Sequence, residues 1–131
     1  MGDKMGNVKD VDQDNFEKVM NGSKGKLVVV EFYTQTCPNC KVMIPIYEQV
    51  AGEMSGKAIF TRVDSNRNMQ LALRFGIMGV PAFKFFCHGK EVGGIVGTTN
   101  VTALANTVKD LIRHGAGCKS TALIYEIDGY A

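Results

Sequence analysis

The chain has 131 residues, 45% of them hydrophobic, which is one domain's length and enough to bury about two thirds of its unfolded surface without metal or disulfide staples. Fifteen Lys and Arg stand against 13 Asp and Glu, so no basic face for nucleic acid or for an anionic membrane is implied. No apolar run approaches the roughly 20 residues of a spanning helix, and residues 1–14 are polar where a signal peptide is apolar, so we expect a soluble, monomeric, cytoplasmic protein.

In chain order, residues 1–6 read as a disordered leader and 7–11 as a first strand. Asp14 followed by Glu17 has capping-box spacing, and Phe16, Val19 and Met20 form the apolar stripe of a short helix that Asn21-Gly22 ends. Next comes the unbroken apolar, β-branched run Leu27–Tyr33, which predicts a strand covered on both faces. It leads directly into Cys37-Pro38-Asn39-Cys40. Pro38 suits the first position of a helix, where its missing N–H costs nothing. From Cys40 onward, Met43, Ile44, Tyr47, Val50, Ala51 and Met54 recur at helical spacing, with a kink expected at Pro45 and an end at Gly56. Residues 58–64 predict a strand and 66–75 a helix stopped by Gly76. Residues 82–87 and 91–96 predict a hairpin turning at His88-Gly89-Lys90. Val101, Leu104, Ala105, Val108, Leu111 and Ile112 fit one face of a last helix, with Asn100 as N-cap and Lys109, Arg113 and His114 at its C-terminal end. Gly115-Ala116-Gly117 marks a joint. The domain is therefore expected over 1–115, followed by a C-terminal extension over 116–131 whose 122–127 run reads equally as an added edge strand or a loose tail. The alternation of elements makes an α/β sandwich with a mixed sheet.

The chemistry concentrates at the two close cysteines. Cys37 falls at or near the helix N-cap, where unpaired backbone N–H groups and the positive end of the helix dipole favour a thiolate, the nucleophilic form. Cys40, one turn in, is within disulfide reach. In a reducing compartment such a pair is catalytic or metal-binding rather than a staple. Zinc has further candidate ligands in Cys87-His88 and in His114 with Cys118, but they lie far along the chain from Cys37, unlike common zinc modules, so redox work is the favoured reading. Glu31 stands amid Val28, Val29, Val30 and Phe32. Burying a carboxylate there is costly unless it has a task or a partner, or reaches solvent from the strand's end.

Glu31-Phe32-Tyr33, Cys37-Pro38-Asn39-Cys40-Lys41, Pro45, Phe75-Gly76-Ile77-Met78-Gly79-Val80-Pro81 and Gly97, in that order, resemble the thioredoxin family over roughly residues 7–114. The resemblance implies a thioredoxin fold, a central mixed sheet of about five strands flanked by about four helices. It also implies a protein-disulfide reductase with no bound cofactor beyond a redox-active Cys37–Cys40 disulfide. Its partners are disulfide-containing client proteins and an electron-donor reductase. In that scheme Cys37 attacks the client, Cys40 resolves the mixed disulfide, and Glu31, where the family has Asp, takes the resolving thiol's proton. Pro81 is implied to be cis, with Gly79 and Val80 offering backbone groups to an extended client. Gly97 flanks the groove, and Thr36, Pro38 and Asn39 form its rim.

The chain departs from the family in several places. Thr36 replaces the usual Trp before the first cysteine, and the chain has no Trp. Pro-Asn replaces the usual Gly-Pro between the cysteines, and Pro in first place is similar to glutaredoxins, which keeps a glutaredoxin-like oxidoreductase as an alternative. A thioredoxin-fold binding module with a redox-gated or zinc-binding site is the other. The family often has a Lys near the buried acid. Simple alignment puts Phe60 there, with Lys84 as a substitute charge or merely a lysine snorkelling from its strand. Cys87 and Cys118 are expected to be incidental thiols.

Overall fold

Every polar backbone group that leaves water needs a partner, and among the described residues one five-stranded sheet and four helices supply partners. The computed structural model describes residues 7–114; the leader, the joint and the 116–131 extension with Cys118 lie outside the described residues. The elements are β1 (Val8–Asp10), α1 (Phe16–Asn21), β2 (Leu27–Tyr33), α2 (Pro38–Glu53), β3 (Ala58–Asp64), α3 (Met69–Arg74), β4 (Ala82–Cys87), β5 (Lys90–Val96) and α4 (Val101–His114). The strand order is β1-β3-β2-β4-β5. β3 pairs parallel with both β1 and β2, while β4 runs antiparallel between β2 and β5.

β2 lies at the centre, and all its residues but Tyr33 are buried, as the unbroken apolar run requires. Successive side chains of a strand point to opposite faces. Leu27 and Val29 thus join the core formed with Met43, Tyr47 and Val50 of α2 and Leu104 and Val108 of α4. Val28, Val30 and Phe32 join the opposite core, with Phe16 and Met20 of α1 and Leu71 of α3. Glu31 falls in step with Leu27 and Val29, on the α2 side. Tyr47 fastens α2 to the sheet: its hydroxyl donates to the Thr61 carbonyl at 2.6 Å, and its ring lies 5.6 Å from those of both Phe60 and Phe83.

Several local expectations change. The turn before α1 is organised by Asp12, not by an Asp14–Glu17 capping box: the Asp12 carboxylate accepts the N–H groups of Asp14 and Asn15, and the N-cap residue Asn15 makes no side-chain cap. α3 begins at Met69 rather than 66, because Asp64 holds the preceding turn, its side chain accepting the Asn66 N–H and its carbonyl those of Arg67 and Asn68. α2 continues through Pro45. Ile44, expected in the core, is 38% exposed. The hairpin turns on His88 and Gly89, both with positive φ, which suits a two-residue turn matched to strand twist. Asn100 caps α4 as expected, its side chain accepting the Ala103 N–H at 2.8 Å.

Candidate active site

β2 delivers the chain to the mouth of α2 at its carboxyl end, and Cys37 is the N-cap residue, with extended backbone at φ −85° and ψ 115°. Its Sγ accepts the Cys40 backbone N–H at 3.1 Å, one of the donors that a helix start leaves without an intrahelical partner. Pro38 at the first helical position cannot compete for the sulfur, having no N–H. On its other side the Cys37 Sγ lies 3.7 Å from the Val80 carbonyl oxygen. Cys37 is partly exposed, whereas Cys40 is only 4% exposed.

The cis peptide joins Val80 to Pro81. The Gly97 N–H donates to the Pro81 carbonyl at 2.8 Å, which ties the end of β5 to this loop. Gly97 holds φ +93°, and a Cβ built there would meet nothing within 4 Å. Backbone conformation, rather than crowding, is therefore what calls for glycine at this place. Thr36, Pro38 and Asn39 stand exposed on one rim and Gly79 on the other.

Behind the cysteines is a cavity of about 180 Å³, lined by Cys40, Glu31, Ile44 and Arg62 among others. Glu31 is 2% exposed, and its Oε2 has no hydrogen-bond partner among the described residues. Burial pushes its carboxyl up to about 7, against the opposing pull of Arg62. The Cys40 thiol is pushed up to about 12, first by burial and then by its hydrogen bond and charge interaction with Cys37 and by Glu31. These shifts fit a division of labour. One sulfur is presented at the helix mouth, and the other stays protonated until a base beside it takes the proton.

The cation beside the acid is Arg62, which sequence reasoning missed. In the parallel register Glu31 pairs with Arg62, while Phe60 pairs with Val29 and fills the core against Tyr47. Lys84 is opposite Val30, on the α1 and α3 side of the sheet, and its Nζ is 2.7 Å from Glu91. It cannot serve Glu31. Alternation along β3 puts both Phe60 and Arg62 on the acid's face and Val63 on the other, and only the register between the strands decides which of the two meets Glu31.

Among the described residues no group of three or more His, Cys, Asp or Glu is placed to hold a metal. Cys87, read as an incidental thiol, is fully buried at the far end of β4 and is disulfide-bonded, so it is neither a free thiol nor a metal ligand. It is also remote from Cys37, because β4 approaches the active-site end of β2 with Ala82, opposite Phe32.

Comparison with known proteins places this geometry. The thioredoxin family model matches residues 7–110. A chloroplastic thioredoxin F-type protein of Mesembryanthemum crystallinum is 40% identical over 94 residues, 71% of this chain and 49% of that protein. The thioredoxin of Malassezia sympodialis is 33% identical over 85 residues, 64% of this chain and 79% of that one. The crystal structure of spinach chloroplast thioredoxin f in its short form superposes with a TM-score of 0.75 at 34% identity, covering 82% of this chain and 95% of that one. The chain thus spans about half the length of the Mesembryanthemum relative.

Proposed function

The chain belongs to the thioredoxin family, and from that premise we propose that it is a protein-disulfide reductase working by thiol–disulfide exchange. One observation carries the reading: a partly exposed sulfur at a helix N-cap accepts the backbone N–H of a second, buried cysteine that shares a cavity with a buried acid. The Cys37 thiolate attacks one sulfur of a client disulfide. The Cys37–client bond forms and the client's own S–S bond breaks, releasing one client thiol. Cys40 then gives its proton to the Glu31 carboxylate and attacks Cys37. The Cys37–Cys40 disulfide forms, the second client thiol leaves with a proton from solvent, and two electrons have passed to the client.

The groove bounded by Thr36, Pro38, Asn39, Gly79, Val80, Pro81 and Gly97 takes the client in this proposal, with the Val80 backbone pairing to an extended segment. No Trp stands on this rim, so recognition rests on backbone pairing and small side chains. The donor of electrons is a reductase acting on the Cys37–Cys40 disulfide, and the protein works as a monomer. We propose the cytoplasm as its location, with a plastid as the competing setting because the Mesembryanthemum relative is named chloroplastic; imaging the tagged full-length protein separates them. The chemical test is turnover in an insulin-type disulfide reduction assay with dithiothreitol. Multiple turnovers per protein support the reductase. Binding of clients without turnover would instead support a thioredoxin-fold binding module.

A further inference from the structure

Arg62 has two carboxylates within its reach, and they belong to different parts of the reaction's surroundings. Inside is Glu31, its register partner on β2, in the 180 Å³ cavity behind Cys40. Outside is an open polar cleft of about 510 Å³, lined by Asp10, Asp12, Asp64, Arg67 and Asn68. Tyr33, Gln35 and Arg62 line both spaces and so form the wall between them. The guanidinium carbon sits 4.0 Å from the centroid of the Tyr33 ring, a stacking distance. Its Nε is 3.4 Å from Asp10 Oδ1, near enough for an ion pair yet not aligned as a hydrogen bond. The Asp10 side chain is 86% exposed and that of Arg62 only 17%.

We propose that Arg62 is a counter-ion shared between Glu31 and Asp10, with the Tyr33 ring as its platform, so that Tyr33 and Asp10 are positioning residues that set the pH at which Cys40 resolves the mixed disulfide. Asp10 draws the guanidinium toward the cleft and partly neutralises it. The ring keeps it from leaving the acid altogether. Other groups surround Glu31 as well: Cys40 and Tyr47 of α2 interact with it, Lys41 of α2 lines the same cavity, and Cys37 acts on Cys40 from the helix mouth, while β4 presents Phe83 opposite it. On the cleft side Asp12, Asp64 and Arg67 complete the charges around Arg62, and Asp64 is engaged by Gln35 at 3.1 Å. Asp10 and Tyr33 are singled out because each touches Arg62 and neither touches a reacting sulfur.

The inference rests on the proposed reductase reading, and its test separates the two. The reduced protein is mixed with 5,5′-dithiobis(2-nitrobenzoate), so that Cys37 forms a mixed disulfide with thionitrobenzoate. Attack by Cys40 then expels a second coloured thiolate, and stopped-flow absorbance gives both steps across pH. Asp10→Asn leaves Arg62 to Glu31 alone, which favours the carboxylate. The midpoint of the second step then moves to lower pH by roughly a few tenths of a unit, a modest shift because Asp10 is exposed and screened. Tyr33→Leu keeps the cavity wall apolar but removes the platform, so the midpoint moves to higher pH by roughly half a unit or more. Tyr33→Phe retains the ring but loses the hydroxyl that also bonds Arg62, so its midpoint should move in the direction of Tyr33→Leu but less far, and the first step should be indifferent to all three.

The carbon-13 titration of the Glu31 carboxyl reads the same shifts in a protein that turns nothing over. Failure of the reductase reading would therefore appear as absent turnover with these opposite shifts intact. Midpoints and carboxyl titrations that stay put, or that move in the same direction in Asp10→Asn and Tyr33→Leu, would overturn the shared counter-ion.

Discussion

The front and the rear of the Cys-Pro-Asn-Cys turn are separated by a single helical turn, and they are different environments. At the front, Cys37 is partly exposed, its sulfur set between a helix-start N–H and the Val80 carbonyl. At the rear, Cys40 and Glu31 are 4% and 2% exposed, and burial raises the proton affinity of both. The lesson is that chemically identical thiols are given distinct environments by place alone. Helix geometry turns one toward solvent, and the sheet's alternation puts a carboxyl beside the other.

Removing the front sulfur is the most damaging change. Cys37→Ser should reduce turnover to the uncatalysed background, because the remaining thiol is buried and held protonated. Turnover within tenfold of the parent in the disulfide reduction assay would erase the distinction between the two sides.

At the rear, Glu31→Gln keeps the shape and removes the base, so the resolving step near neutral pH should slow by roughly 100-fold. The same change should stabilise the protein in a pH-dependent way. Glu31 titrates at about 7 in the folded chain against an ordinary 4.5, so its neutral form is the one that folding favours. The parent is therefore most stable, as far as this group goes, below about 4.5 and loses that stability as pH rises through 7. Urea unfolding should show Glu31→Gln more stable by about 3 kcal/mol at pH 8 or above, with the advantage vanishing below about pH 4.5. A pH-independent difference would show that Glu31 is not buried as an acid.

A smaller effect sharpens the front. Gly97→Ala places a Cβ in open space but on a backbone at φ +93°, so it should cost roughly 1 kcal/mol through strain alone. The pH profile of the resolving step should not move with it, since Gly97 contacts the Pro81 loop and not the rear cavity.

Much of this asymmetry is legible before any coordinates. The run Leu27–Tyr33 into Cys37-Pro38 specifies a buried strand and a helix start from local chemistry, and the Asn100 cap follows from the same kind of rule. Elements whose limits depend on side chains closing on nearby backbone are less legible. Asp12 and Asn15 outcompete the Asp14 capping box, and Asp64 delays α3 to Met69. Arg62 is the instructive miss. Its partnership with Glu31 is a fact of register between two parallel strands that are joined through a helix, and no spacing within either strand reveals it. Phe60 and Lys84, the alternatives read from the sequence, are respectively a core ring and a member of a salt bridge on the other face.

The most direct measurement of the account is covalent trapping. Reduced Cys40→Ser and Cys37→Ser proteins, incubated with a disulfide-containing client and separated without reductant, report which sulfur meets the client first. Cys40→Ser is expected to accumulate mixed disulfides mapped to Cys37 and Cys37→Ser to accumulate none, because of the two only the helix-mouth sulfur is presented to solvent. Equal accumulation by the two variants, or adducts mapped to Cys40, would contradict it.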